Sequence, residues 1–192
     1  MRRTIRRLIP VATLVLVLTT SASVRADDYT VDDAHTAVVF KVEHLGLSWV
    51  HGRFNDVSGS FTIDKDDPAK SSFTLTVKAE SIDTGNAKRD QHLRSPDFFN
   101  VKQFPLLSFK STSVKAVKDG YEVTGDFTLH GETQSITFAL KGGKQAEFPK
   151  GVHRTGFSTD LVIKRADFGI KTFKGAIGDE VHVSVSFEGV RK

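Results

Sequence analysis

The sequence predicts an all-β fold of antiparallel strands, about eight of them, curled into a barrel or packed as a sandwich. Three observations point there. Apolar and polar residues alternate with a period of two along most of the chain after residue 26. The joints between alternating runs are short turn sequences, which suit hairpins. Helical patterning occurs in a single stretch, from Asn86 to Val101.

The strands follow in order. Val38, Phe40, Val42 and His44 share one face, with Val39, Lys41 and Glu43 on the other. Phe61 and Ile63 alternate with Ser60, Thr62 and Asp64. Asp64-Lys65-Asp66-Asp67-Pro68 then turns the chain into a run whose apolar face is Phe73, Leu75 and Val77. Lys118-Asp119-Gly120 joins Val117 to the next run, with Tyr121, Val123, Phe127 and Leu129 on one face. His130-Gly131-Glu132 leads to Ile136, Phe138 and Leu140. Leu161 and Ile163 follow, then Val181, Val183, Val185 and Phe187. Ser and Thr fill the opposite faces and tolerate a solvated strand surface. Between the third and fourth of these runs the period breaks. Asn86 is placed to cap a short helix over Ala87 to Arg94, and Ser95-Pro96 to open a second turn reaching Asn100.

The first 26 residues read as a secretory leader. Arg2, Arg3, Arg6 and Arg7 precede an apolar run from Leu8 to Leu18, and Val24-Arg25-Ala26 forms a small-residue cleavage pattern. The run is too short to span a bilayer comfortably. Residues 27–192 then form one domain, exported to a periplasm or beyond. Five of the 27 Lys and Arg lie in the leader and no acidic residue does. The net charge of +4 thus becomes −1 in the remainder, with 22 basic against 23 acidic residues. Nucleic-acid binding loses its electrostatic basis. With no cysteine, neither disulfides nor thiolate chemistry enters.

No catalytic signature stands out. There is no Gly-x-Ser-x-Gly elbow, no Walker loop and no dinucleotide fingerprint. The seven histidines show no helical His-x-x-x-His spacing, so neither a metal nor a cofactor is predicted. The densest polar cluster is RDQHLRSPDFF, residues 89–99. Asp90 and Arg94 are spaced as a solvent-side helix pair. Arg89 and His92 either pin the helix to neighbouring loops or greet a ligand headgroup, and the first reading is preferred. Fifteen Phe against two Tyr and one Trp suit dry surroundings, in a core or along an apolar cavity.

Five blocks carry a resemblance over almost all of residues 27–192: 33–61, 84–109, 125–138, 154–170 and 177–189. The Arg-Asp-x-His-Leu-x-Ser-x-x-Phe-Phe motif at 89–99 is the most specific. The sequence resembles the YceI-like family of polyisoprenoid-binding proteins. That resemblance implies an antiparallel eight-stranded lipocalin-like β-barrel with a short helical excursion near residues 87–100. It also implies an isoprenoid lipid or quinone threading the interior, and no firmly attached reaction. Members often form dimers, several are linked to stress, and some are coupled to cytochrome b561-type membrane proteins. The implied role is an exported lipid carrier. The alternatives are an enzyme acting on the bound lipid and a partner of such a cytochrome.

The strand faces nominate Phe40, Val42, Phe61, Phe127, Leu129, Phe138, Phe157 and Leu161 as tunnel wall. Phe98, Phe99, Phe104 and Phe109 are predicted to gate the tunnel or pack the helix. Arg89, His92 and His44 are predicted near the headgroup.

Overall fold

The computed structural model describes residues 26–192; the predicted leader lies outside the described residues, apart from Ala26. Ten strands and one α-helix follow in order: β1 (Asp27–His44), β2 (Ser48–Phe54), β3 (Val57–Ile63), β4 (Ser72–Lys78), β5 (Ile82–Asp83), α1 (Ala87–Arg94), β6 (Leu106–Val117), β7 (Gly120–Leu129), β8 (Glu132–Glu147), β9 (His153–Lys164) and β10 (Ile177–Arg191). Eight of the strands close a ring, β1-β3-β4-β6-β7-β8-β9-β10, with β10 pairing back onto β1. Every ladder is antiparallel. Closure leaves no exposed edge in the ring.

β1 is the strand on which the architecture turns. Its first half pairs with β3, as Tyr29 with Phe61, and its second half pairs with β2, as Val42 with Val50. An irregularity between Asp32 and Ala37 separates the halves. There the Asp32 side chain accepts from the Ala34 amide, and the Thr36 hydroxyl donates to the Asp32 carbonyl. The alternation predicted only the second half. The first carries Asp27, Asp28, Asp32 and Asp33, residues that disfavour strands, and only its pairing partners make it one. β2 and the two-residue β5 extend the wall beyond β1 as a flap.

The inward residues form two clusters along the barrel axis. One end holds a packed set of rings. Phe61 stacks on Tyr29 at 4.8 Å and lies 5.7 Å from Phe73, 5.6 Å from Phe157 and 5.6 Å from Phe187. The other end is closed by Phe54, Ile82, Phe98, Phe168 and Ile170, contributed by the flap, the segment after α1 and the turn following β9. Glycines make room for rings on the wall. A Cβ at Gly125 would stand 2.5 Å from Cζ of Phe109, one at Gly189 2.4 Å from Phe61, and one at Gly52 2.4 Å from Phe40.

Candidate functional site

Between the two clusters lies a cavity of about 580 Å³. Strand alternation points Phe40, Val42, Phe127, Ile136, Phe138, Leu161 and Val183 inward, yet each is only half-buried. The surface they keep faces the cavity. These side chains are too short to meet across the ring at this level, so the interior is hollow there.

Of the residues nominated as tunnel wall, Phe40, Val42, Phe127, Leu129, Phe138 and Leu161 border the cavity. Phe61 and Phe157 do not. They point inward as predicted, but register sets them at the level of the ring cluster, where aromatic partners fill the space. Among the gate candidates, Phe98 and Phe99 border the cavity at the capped end, whereas Phe109 borders it from β6 within the ring-end cluster, 5.2 Å from Phe138, and neither gates the mouth nor packs the helix. Phe104 instead packs against the His130 ring at 4.7 Å, because it lies outside the strands, in the turn leading to β6. Arg89, His92 and His44 all reach the cavity rim.

α1 covers the flap side of the rim. The Asn86 side chain accepts from the Arg89 amide at 3.0 Å and caps the helix where the sequence places its start. After Arg94 the chain folds back, and Ser95 receives the Phe98 and Asn100 amides. This reversal turns Phe98 under the helix. His92 packs edge-on to Phe98 at 5.1 Å, and its Nε2 lies 2.8 Å from the Asp97 carboxylate.

Arg89 donates from Nε to Thr84 Oγ1 at 2.7 Å and from its terminal nitrogen to the Thr84 carbonyl at 2.8 Å. The predicted Asp90–Arg94 pair does not form. Asp90 is buried and accepts from the Thr84 amide at 2.9 Å and the Thr84 hydroxyl at 2.5 Å. Arg94 donates to the carbonyls of Glu80 and Ile82, both at 2.7 Å. The irregular backbone before α1 offers unpaired groups, and these outcompete a solvated ion pair.

Sequence reasoning missed several parts of the rim and wall. Val181, Val183 and Val185 of β10 line the cavity, and their alternation was a usable signal. Phe173 also borders it, from an irregular loop that leaves no periodic trace. Arg165 is buried at the start of that loop. Its guanidinium donates to the carbonyls of Gly178, Ile170, Thr172 and Ile177 at 2.8–3.1 Å. Burial pushes its pKa below the ordinary value, against the pull of Asp179.

One cluster of acidic and histidine side chains occurs away from the cavity among the described residues: Asp32, His35 and Glu188. Arg154 already sits among them, bonded to Asp32 and 3.4 Å from Glu188. Its hydrogen bond, reinforced by that of His35, holds the Asp32 carboxyl down at about 2. The cluster ties β1, β9 and β10 together at the ring-filled end.

Comparison with known proteins gives one family. The model of the YceI-like domain matches residues 29–189. A UPF0312 protein of Pseudomonas aeruginosa is 42% identical over 177 residues, covering 91% of this chain and 93% of its own. Among solved structures, BcnA of Burkholderia cenocepacia superposes with a TM-score of 0.74 at 23% identity, covering 82% of this chain and 98% of that one. A polyisoprenoid binding domain from Saccharophagus degradans, implicated in plant cell wall breakdown, superposes with a TM-score of 0.66 at 16% identity, covering 85% and 98%. At those identities the two structures establish the shared barrel.

Proposed function

The chain belongs to the YceI-like domain family, and on that premise we propose that it is an exported carrier holding a long-chain isoprenoid lipid, a polyprenol derivative or a quinone. One observation supports this above the others: inward apolar side chains are left half-exposed around a cavity of about 580 Å³. The volume falls within the roughly 300–1,000 Å³ of small-molecule sites. Water gains few hydrogen bonds against such a wall, whereas burial of a hydrocarbon gains about 0.8 kcal/mol per CH₂. A branched, unsaturated chain is thus retained without specific polar contacts along its length. Binding of this kind calls for no reaction.

Export enters the proposal through the leader pattern of residues 1–26. Amino-terminal sequencing of protein recovered from the cell envelope tests it, with Asp27 as the expected first residue.

The carrier reading is tested by extracting lipid from protein produced with its leader and identifying it by mass spectrometry. A prenyl lipid at near-stoichiometric amount is the expected result. A barrel that is recovered empty and takes up no polyprenol or prenylquinone in vitro overturns it.

A further inference from the structure

Two buried side-chain polar atoms lack a hydrogen-bond partner among the described residues, His130 Nε2 and Thr159 Oγ1. Only Thr159 borders the cavity. It sits on β9 between Phe157 and Leu161, facing inward, and is 6% exposed. Its ladder partner on β10 is Val185, also inward. Thr159 thus stands at the cavity floor, where the ring cluster ends and the hollow begins. Ser108 also borders the cavity, but alternation with the buried Leu107 and Phe109 turns its side chain outward.

A hydroxyl buried without a partner is unfavourable. Valine would fill the same shape without that penalty and suits a strand better. The polar groups of the cap and loop that reach the rim are in the opposite condition, while Glu43 and His44 are exposed to water. Arg89 is bonded to Thr84, His92 to Asp97, and Arg165 to four carbonyls. Among the described cavity-lining residues, the polar group that is both buried and unmet therefore lies at the floor, away from the mouth. A hydroxyl both donates and accepts, so it serves an alcohol as well as a carbonyl. Among the described residues, those of the ring-end cluster that border the cavity with Thr159, namely Phe73, Phe109, Val123, Leu140 and Phe187, are all apolar. A phosphate placed there would be desolvated without a counter-charge.

Building on the carrier reading, we infer that Thr159 is a polar subsite for a neutral oxygen of the ligand, a quinone carbonyl or an alcohol. The lipid then lies head-inward, with its isoprenoid tail running to the mouth.

The test titrates the full mature chain and its Thr159→Val and Thr159→Ser variants with three probes. These are a prenyl alcohol, the hydrocarbon of the same skeleton without the hydroxyl, and the corresponding prenyl monophosphate. Thr159→Val is expected to lower the preference for alcohol over hydrocarbon by about three- to tenfold, the range of one hydrogen bond. Thr159→Ser is expected to restore it, and the monophosphate to be indifferent to both. An alcohol-to-hydrocarbon ratio unchanged in Thr159→Val overturns the subsite and leaves the carrier intact. Wild-type protein that binds none of the probes overturns both. A second measurement needs no variant. A prenylquinone with isotope-labelled carbonyls should show a lowered carbonyl stretching frequency in wild-type protein, and an unshifted band overturns the subsite.

Discussion

The two ends of this barrel interior are written in the same alphabet and finish differently. At one end Tyr29, Phe61, Phe73, Phe157 and Phe187 meet at a common level and fill the bore. Toward the other end Phe127 and Phe138 face Leu161, Val183 and Val185, and a hollow remains. Eight strands enclose a space that side chains just fill when most are aromatic. Replace the rings on two neighbouring strands by Val and Leu and the opposing walls no longer touch. Whether an inward Phe becomes core or cavity lining therefore depends on which residues share its level. Its own hydrophobicity does not decide.

The contrast is open to attack at both ends. Phe61→Ala removes the ring at the centre of the filled end. We expect a loss of about 3–5 kcal/mol in urea unfolding, with some affinity for a prenyl probe surviving. A smaller loss than for an equivalent change in the hollow half would break the distinction.

Leu161→Trp makes the complementary change. The larger ring enters empty space, so the melting temperature should hold. Uptake of a fluorescent prenyl ligand should fall about tenfold, since at least two CH₂ groups at about 0.8 kcal/mol each are displaced.

The cap differs again, because polar contacts hold it. Asp90→Ala leaves the Thr84 amide without its acceptor and should cost about 1–3 kcal/mol. Limited proteolysis should then cut first between residues 84 and 100. Equal protection of that segment in mutant and wild type would show that apolar packing alone seats the helix.

The smallest effect belongs to Asp32. Its folded pKa of about 2 lies below the ordinary 3.8. Its contribution to stability is therefore present above pH 4 and lost as pH falls from 3.8 through 2. Asp32→Asn should remove that part of the acid transition in a pH-dependent melt. An unchanged acid limb would locate the sensitivity elsewhere.

Local patterns were legible and levels were not. Asn86 as a cap, the helix over Ala87 to Arg94, and the inward faces of β4 and β7 all follow from residues within a few positions of each other. The resemblance supplied barrel closure. Alternation also placed Phe61, Phe127, Phe138 and Phe157 inward together. It carries no information on axial height, which depends on pairings such as Tyr29 with Phe61 and Phe61 with Phe73.

The Asp90–Arg94 misreading has a different origin. Helical spacing names the neighbours on a helix, whereas the winning partners were backbone groups at residues 80–84 and the Thr84 hydroxyl. Phe173 and Arg165 belong to a loop with no period. Thr159 was in plain view between Phe157 and Leu161, and only its burial gives it meaning.

Gly52 sits opposite Phe40 across the β1–β2 ladder and does not line the cavity. A methyl group at this position would meet the Phe40 ring at 2.4 Å and drive it into the hollow. The bore is thus gauged from behind its own wall, by a hydrogen atom that no guest touches. Capacity becomes a trait that a substitution outside the cavity lining can retune, and because the same methyl would stand 2.9 Å from Thr84, which holds Arg89 at the mouth, bore and mouth are set together.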